Sequence, residues 1–316
     1  MEDVTDTVFR ERVLRMSEPG TLHILYTEFT STDGLGHEKG FDKVSERLVV
    51  NDTEMELLKS QGVRLVAQIW GGKPELFLKA AEMITAMGRF DGIDINMGCP
   101  VKKIVKGGSC SALIMDPPRA QDIVRATKEG TTLPVSVKTR TGFNQPVTER
   151  WITQLLEVRP SAIVLHARTS KDQSLVPANW DHVALAVKVR DALAPGIPIL
   201  GNGDVTSMAD GIARCSHSGA DGFMVGRGIF HDPWLFRSAV YKPSKEERLE
   251  ALLAHARLYV STWGQQRNFQ VLKRFFKIYV HGFPGASALR ARLMESSSLQ
   301  EVEEAVDQSI TRSIDQ

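Results

Sequence analysis

Short β-rich apolar runs recur along the chain, each followed by a stretch of helical period. The runs cover residues 22–29, 63–70, 92–96, 134–139, 162–166, 197–201 and 222–225. The helical stretches include 74–87, 118–129, 148–158, 180–192 and 207–217, with Pro74, Pro117 and Pro118 placed as helix openers. Strand followed by helix, repeated, implies a parallel sheet covered by helices. Seven strands are legible, and an eighth is expected to precede Met1 or to be lost. Residues 2–10 read as a loop running into a helix. Eight such units in roughly 240 residues is the size of a (β/α)8 barrel. The rival open doubly wound sheet calls for a G-x-G-x-x-G loop after its first strand, and Gly71-Gly72 lacks that spacing.

After about Tyr241 the texture changes. Stretches 245–263, 269–280, 286–295 and 299–314 are helical in period with no strand between them, and Phe283-Pro284-Gly285 marks a turn. The expected organisation is an α/β barrel with its first strand missing or truncated over 1–241, then a small helical domain over 242–316.

Composition narrows the class. The 316 residues are 42% hydrophobic and 24% charged, with 39 Lys plus Arg against 38 Asp plus Glu, so no global charge favours nucleic acid or membrane. Cys99, Cys110 and Cys215 lack metal-ligand spacing, and an odd low count argues for a reducing compartment. No apolar run approaches ~20 residues and no signal peptide is visible, so a cytoplasmic protein is expected.

The stretch Asp91-Gly92-Ile93-Asp94-Ile95-Asn96-Met97-Gly98-Cys99-Pro100 reads as a buried strand ending in a rigid turn that holds a thiol. Cys99 is either a small buried hydrophobe or a reactive group. The other strand ends also carry polar groups: Gln68, Lys138 and Arg140, His166 and Arg168, Asn202-Gly203-Asp204, and Gly226-Arg227-Gly228. Each admits a structural role, as a backbone cap, a snorkelling lysine or a core histidine. In a barrel they converge on the C-terminal face, and one site there explains them jointly. Gly203 permits close backbone approach, Gly226-Arg227 suits a phosphate, Gln68 offers a donor and an acceptor, and Lys138 places charge beside a ring. The set suits a phosphorylated, planar, redox-active cofactor such as FMN, and no cluster has metal spacing.

The ordered motifs resemble those of the tRNA-dihydrouridine synthases over nearly the whole chain. Val4-Thr5-Asp6-Thr7-Val8-Phe9-Arg10 is similar to the family's V-T-D-x-x-F-R opening. Asn96-Met97-Gly98-Cys99-Pro100 with Lys103, Gly107-Gly108 and Ala112–Pro117 resembles N-x-G-C-P…K…G…A-L-L-x-D-P. Ser136–Arg140, His166–Thr169, Asn202–Asp204, Gly226–Gly228 and Phe283–Ala286 with Arg290 complete the set.

The resemblance implies an FMN-binding TIM barrel and a helical tRNA-binding domain. The implied activity is reduction of the C5=C6 bond of D-loop uridine with NADPH or NADH. It implies Cys99 as general acid, and Gln68, Lys138, His166, Asn202, Gly203, Asp204, Gly226 and Arg227 as FMN ligands. Asn96, Arg140 and Arg168 would lie near the flipped uridine, and Lys273, Arg274, Lys277, Arg290 and Arg292 would meet phosphates. A monomer is expected. Two departures stand out: Met1 falls where the family's first strand ends in A-P-M, and Ala167 replaces the usual glycine. The competing readings are a small-molecule FMN oxidoreductase of the dihydroorotate-dehydrogenase type and a tRNA-binding homologue with impaired catalysis.

Overall fold

The computed structural model describes residues 4–238 and 241–311. Its sheet comprises β1 (Ile24–Tyr26), β2 (Thr30–Ser31), β3 (Arg64–Trp70), β4 (Gly92–Met97), β5 (Val135–Arg140), β6 (Ile163–His166), β7 (Ile199–Asn202) and β8 (Gly222–Met224). Every pairing is parallel, in the order β1-β3-β4-β5-β6-β7-β8, with β2 also on β3. Within the expected run 22–29 only Ile24–Tyr26 is strand, and the second short strand, Thr30–Ser31, follows just beyond it along the same edge of β3. Thr27 bridges the break, since its hydroxyl accepts the Gln68 N–H at 3.0 Å in place of a main-chain carbonyl.

The architecture is the expected α/β one, a barrel-like parallel sheet with helices outside. Among the described residues β8 and β1 do not pair, so the barrel has an open seam between them. Most helices fall where the apolar period places them: Pro74–Met87, Pro117–Glu129, Thr148–Glu157, Asp181–Leu193 and Met208–Ser218. Pro at the first turn suits the first two, because the missing N–H would be unpaired there anyway. Ser207 caps the last by accepting the Asp210 N–H. Between β2 and β3 lie three helices that the pattern does not announce: Thr32–Leu35, Glu38–Ser45 and Asp52–Gln61. Glu38–Ser45 buries no residue fully, and only Phe41 and Val44 pack against the core, which is too short an apolar stripe to stand out in the sequence.

The tail is helical, with Lys245–Trp263, Lys273–Tyr279, Ala286–Glu295 and Leu299–Thr311. Its first helix opens with a capping box between Ser244 and Glu247. The expected helix 269–280 divides into a 3-10 turn, Phe269–Leu272, and the helix that follows it. The end of the expected helix 299–314 lies outside the described residues. The tail packs on the helix Thr7–Met16 through stacked rings, Phe9 lying 5.2 Å from Phe275 of the tail and 5.9 Å from Phe230 of the turn after β8. Asp6 ties the two parts further: Oδ1 caps that helix by accepting the Phe9 N–H, and Oδ2 accepts the Trp263 indole N–H at 2.9 Å. No helix among the described residues is long and apolar enough to cross a membrane.

Candidate active site

Strand register decides which polar residues meet. Gln68, Asp94 and Ser136 are partners across β3, β4 and β5. Asn96 pairs with Lys138, and Arg140, His166, Asn202 and Met224 form a further row across β5 to β8. Alternation along β4 turns Asp94 and Asn96 to the face opposite Ile93, Ile95 and Met97. All six residues of β4 are buried. Cys99, Asn96, Arg140, Arg168 and every residue expected to hold FMN line one cavity of about 1360 Å³ at the strand ends, whereas Lys273, Arg274, Lys277, Arg290 and Arg292 of the tail do not. That volume exceeds the ~300–1,000 Å³ usual for one small ligand. The cavity continues along the seam, where Leu22, Ile24 and Leu25 face Pro198, Leu200 and Phe223.

Asn96 shapes the cysteine loop. Its Oδ1 accepts the backbone N–H groups of Gly98 and Cys99 at 3.0 and 3.1 Å. Its Nδ2 donates to Gln68 Oε1 at 3.3 Å. Gln68 in turn donates from Nε2 to Asp94 Oδ2 at 2.7 Å, and the Ser136 hydroxyl donates to Asp94 Oδ1 at 2.6 Å. Burial pushes the Asp94 carboxyl up to about 6 against the pull of those two bonds and of Lys138. Arg140 holds the same loop from the other side. Its Nε donates to the Gly98 carbonyl at 2.6 Å, and its Nη1 to the carbonyls of Thr169 and Gln173, both at 2.9 Å. Cys99 is half-buried in the cavity wall, within electrostatic reach of Lys138 and Arg140. Cys110, which follows in the 3-10 turn Cys110–Met115, is fully buried with a left-handed φ of 54°.

On the opposite wall Lys138 Nζ donates to Asn202 Oδ1 at 2.9 Å, and Asn202 Nδ2 donates to the Met224 carbonyl at 2.8 Å. Desolvation, then the Arg140 charge, holds the Lys138 ammonium down to about 8. His166 is held down to about 2 by burial and by Lys138, Arg140, Arg168 and Arg227, so its ring is neutral. Arg168 Nη1 lies 3.2 Å from His166 Nε2. A guanidinium only donates, so Nε2 accepts and Nδ1 carries the ring proton. Arg168 also clamps Asp204, whose carboxyl sits below its usual range. Burial opposes this, but the Arg168 bonds and the Ala178 N–H outweigh it.

Gly203 has φ 124°, and a β-carbon there would stand 2.8 Å from Ala178 Cβ and 3.1 Å from His166 Cδ2. A β-carbon on Gly226 would meet nothing nearer than Asn202 Nδ2 at 3.9 Å, so the space over this glycine is open. Arg227 is exposed at the start of a 3-10 turn, Arg227–Phe230, which is shorter than a phosphate-binding helix end. Ala167 fits without crowding: it is buried, and its N–H and C=O pair with Asn202 and Asn179. The residue missing from the sequence-derived set is Asp94. Its signal was an acidic side chain two positions before Asn96, on the same face of an otherwise apolar strand.

The family described as Dihydrouridine synthase (Dus) matches residues 1–315. The chain belongs to the dihydrouridine synthase family. A probable tRNA-dihydrouridine synthase of Staphylococcus epidermidis is 40% identical over 309 residues, covering 97% of this chain and 91% of that protein. A probable tRNA-dihydrouridine synthase 2 of Bacillus subtilis is 39% identical, covering 97% and 91%. Among solved structures, a morphinone reductase mutant in complex with tetrahydroNAD matches with TM-score 0.50 at 13% identity, over 78% of this chain and 85% of that one. A 2-naphthoyl-CoA reductase complex matches with TM-score 0.51 at 13% identity, over 74% of this chain and 47% of that one. At this identity the two structures bear on the fold alone, which they share with this chain.

Proposed function

We propose that the protein reduces the C5=C6 bond of D-loop uridine in tRNA, using FMN reduced by NADPH or NADH, with Cys99 as the general acid. The observation that carries the reading is the meeting, in one cavity, of the Asn96–Cys99 loop with a basic, glycine-bearing wall formed by β5 to β8. The residues fit a flavin. Lys138 Nζ and the His166 Nδ1–H are donors, Gln68 Oε1 is an acceptor, and Gly203 keeps a β-carbon out of a crowded corner. The open space over Gly226 and the exposed Arg227 guanidinium suit the phosphate.

When bound, FMN would supply hydride to uracil C6. The chain's part is to hold the base and complete the protonation. Cys99 Sγ gives its proton to C5 as negative charge develops along C5–C4–O4. A positioned acid of this kind contributes about 10²–10⁴ in rate. Asn96 and Arg140 keep the loop from moving away during transfer, and Arg168 with Asn96 and Arg140 borders the space for the extruded base. The barrel over 1–241 would carry the chemistry. The helical part over 242–316, with Lys273, Arg274, Lys277, Arg290 and Arg292, would meet tRNA phosphates. A monomeric cytoplasmic enzyme fits this reading.

The test is dihydrouridine formation in unmodified tRNA, with wild type beside Cys99→Ala. Cys99→Ala is expected to lower product formation by about 10²–10⁴ while leaving flavin reduction by NADPH intact. Wild-type protein that binds no flavin, or product formed equally by Cys99→Ala, would overturn it.

A further inference from the structure

We propose that Asp94 is a positioning residue that sets both the location of the Cys99 thiol and the polarity of the cavity-facing edge of Gln68. Asp94 is fully buried and makes no hydrogen bond to the cysteine loop itself. It acts through two amides. An ionised carboxylate only accepts, so Gln68 must turn Nε2 toward Asp94 Oδ2, where it lies at 2.7 Å. That leaves Gln68 Oε1 facing Asn96, which must then present Nδ2, at 3.3 Å. Asn96 Oδ1 is thereby aimed at the loop, where it accepts the Gly98 and Cys99 N–H groups. Turning over either amide would set donor against donor at the next link, and the Cys99 N–H would lose its acceptor.

The row thus transmits a single sign, acceptor at Asp94 to acceptor at the loop, from β4 to β3 and back to β4. The same sign fixes what Gln68 offers a ligand. With one Nε2–H committed to Asp94, Gln68 lines the cavity with the remaining lone pair of Oε1 beside its second N–H, so a ligand group meeting Oε1 must be a donor such as a ring imide N–H. Ser136 supplies the second bond to Asp94 but does not take part in the amide ordering.

The inference draws its meaning for turnover from the acid role given to Cys99, and its test does not depend on that role. Cys99 alkylation by iodoacetamide is followed by peptide mass mapping against pH on the full chain, without tRNA. Asp94→Asn can donate as readily as accept, so it no longer dictates the amides. It is expected to change the Cys99 alkylation rate at least threefold and to move the midpoint of its pH profile. Gln68→Met, which keeps the length and cuts the relay, is expected to do the same, and the double variant to add nothing further. Ser136→Ala is expected to leave the rate within twofold of wild type. Wild-type alkylation in folded Asp94→Asn, in Gln68→Met, or additive effects in the double variant would overturn the proposal. Should Asp94→Asn fail to fold, Gln68→Met alone decides. Absence of dihydrouridine formation with a changed alkylation profile would count against the proposed function and leave the relay standing.

Discussion

Arg168 holds both carboxylate oxygens of Asp204, at 2.7 and 2.6 Å, and the same guanidinium reaches His166 Nε2 at 3.2 Å. One side chain therefore fixes a loop after β7 and the tautomer of a histidine at the end of β6. Asp204 needs such a clamp, because its φ of 56° is left-handed and unfavourable for a residue with a β-carbon. Arg168 is almost fully buried while Asp204 is about one-third exposed. Water screens part of the pair, and Arg168→Ala is expected to cost about 1–3 kcal/mol in urea unfolding. FMN affinity, read by flavin fluorescence, should fall at least about tenfold, since His166 loses the partner that keeps its proton on Nδ1.

Gly203→Ala tests the same corner by crowding it. The added methyl would stand 2.8 Å from Ala178 Cβ and 3.1 Å from His166 Cδ2, on a backbone of positive φ. Strain of this kind costs about 1–3 kcal/mol. The expected outcome is a lower thermal midpoint together with weaker flavin binding. Unchanged flavin binding would mean that His166 does not face the cofactor.

Much of the site was legible because β-strands alternate. The period-two pattern of β4 turns Asn96 away from Ile93, Ile95 and Met97, and parallel register then brings it beside Lys138. Asp94 obeys the same rule. Its role stayed hidden because a buried carboxylate's meaning lies in its partners, Gln68 and Ser136, which come from other strands. The double hold of Arg140 was likewise unreadable: Thr169 and Gln173 lie about thirty positions away and offer only backbone carbonyls. In the fold, the helix Glu38–Ser45 was silent because its apolar face is only Phe41 and Val44. The break after Ile24–Tyr26 in the run 22–29 depended on a side-chain contact from Thr27 to the neighbouring strand.

Under the proposed function, Lys138 is expected to make flavin binding weaken at alkaline pH. Its folded value of about 8 lies below its free value of 10.5. The ammonium is therefore present below pH 8 and lost as pH rises through it. Affinity for FMN should fall across that range in wild type and in Cys99→Ala alike, which excludes the thiol as the source. Lys138→Met should bind more weakly and without the alkaline decline. Stability moves the other way. Between pH 8 and 10.5 the unfolded chain keeps a proton that the folded chain has released, so this group's contribution rises with pH over that window.

The join between barrel and tail can be measured at Asp6. Its two oxygens serve different parts, Oδ1 the N-terminus of Thr7–Met16 and Oδ2 the indole of Trp263, with Arg267 stacked 3.7 Å from that ring. Asp6→Ala removes a helix cap worth about 1 kcal/mol. It also strands a buried indole N–H, at a cost of about 1–3 kcal/mol. A loss near the sum is expected in denaturant unfolding. Trp263→Phe alone should cost less, and the double variant should lose less than the two single changes together, since they share one bond.

His255 gives the tail a dependence on acid. It is fully buried between Phe9, Phe275 and Tyr279, with Nδ1 2.9 Å from the Tyr279 hydroxyl and Nε2 unpartnered. Desolvation, with the Arg12 charge beside it, holds its folded value down to about 3, against 6.5 when exposed. The unfolded chain binds the proton first, so the contribution of the neutral ring is complete above pH 6.5 and shrinks as pH falls toward 3. At pH 5 the loss should be about 2 kcal/mol. The carboxyls of Asp6, Glu28 and Glu54 are raised and act in the opposite sense, so a single pH–stability curve mixes the two. The difference between wild type and His255→Phe isolates the histidine. If unfolding free energy falls by the same amount in both proteins between pH 7 and pH 5, the buried ring is not the source of acid sensitivity.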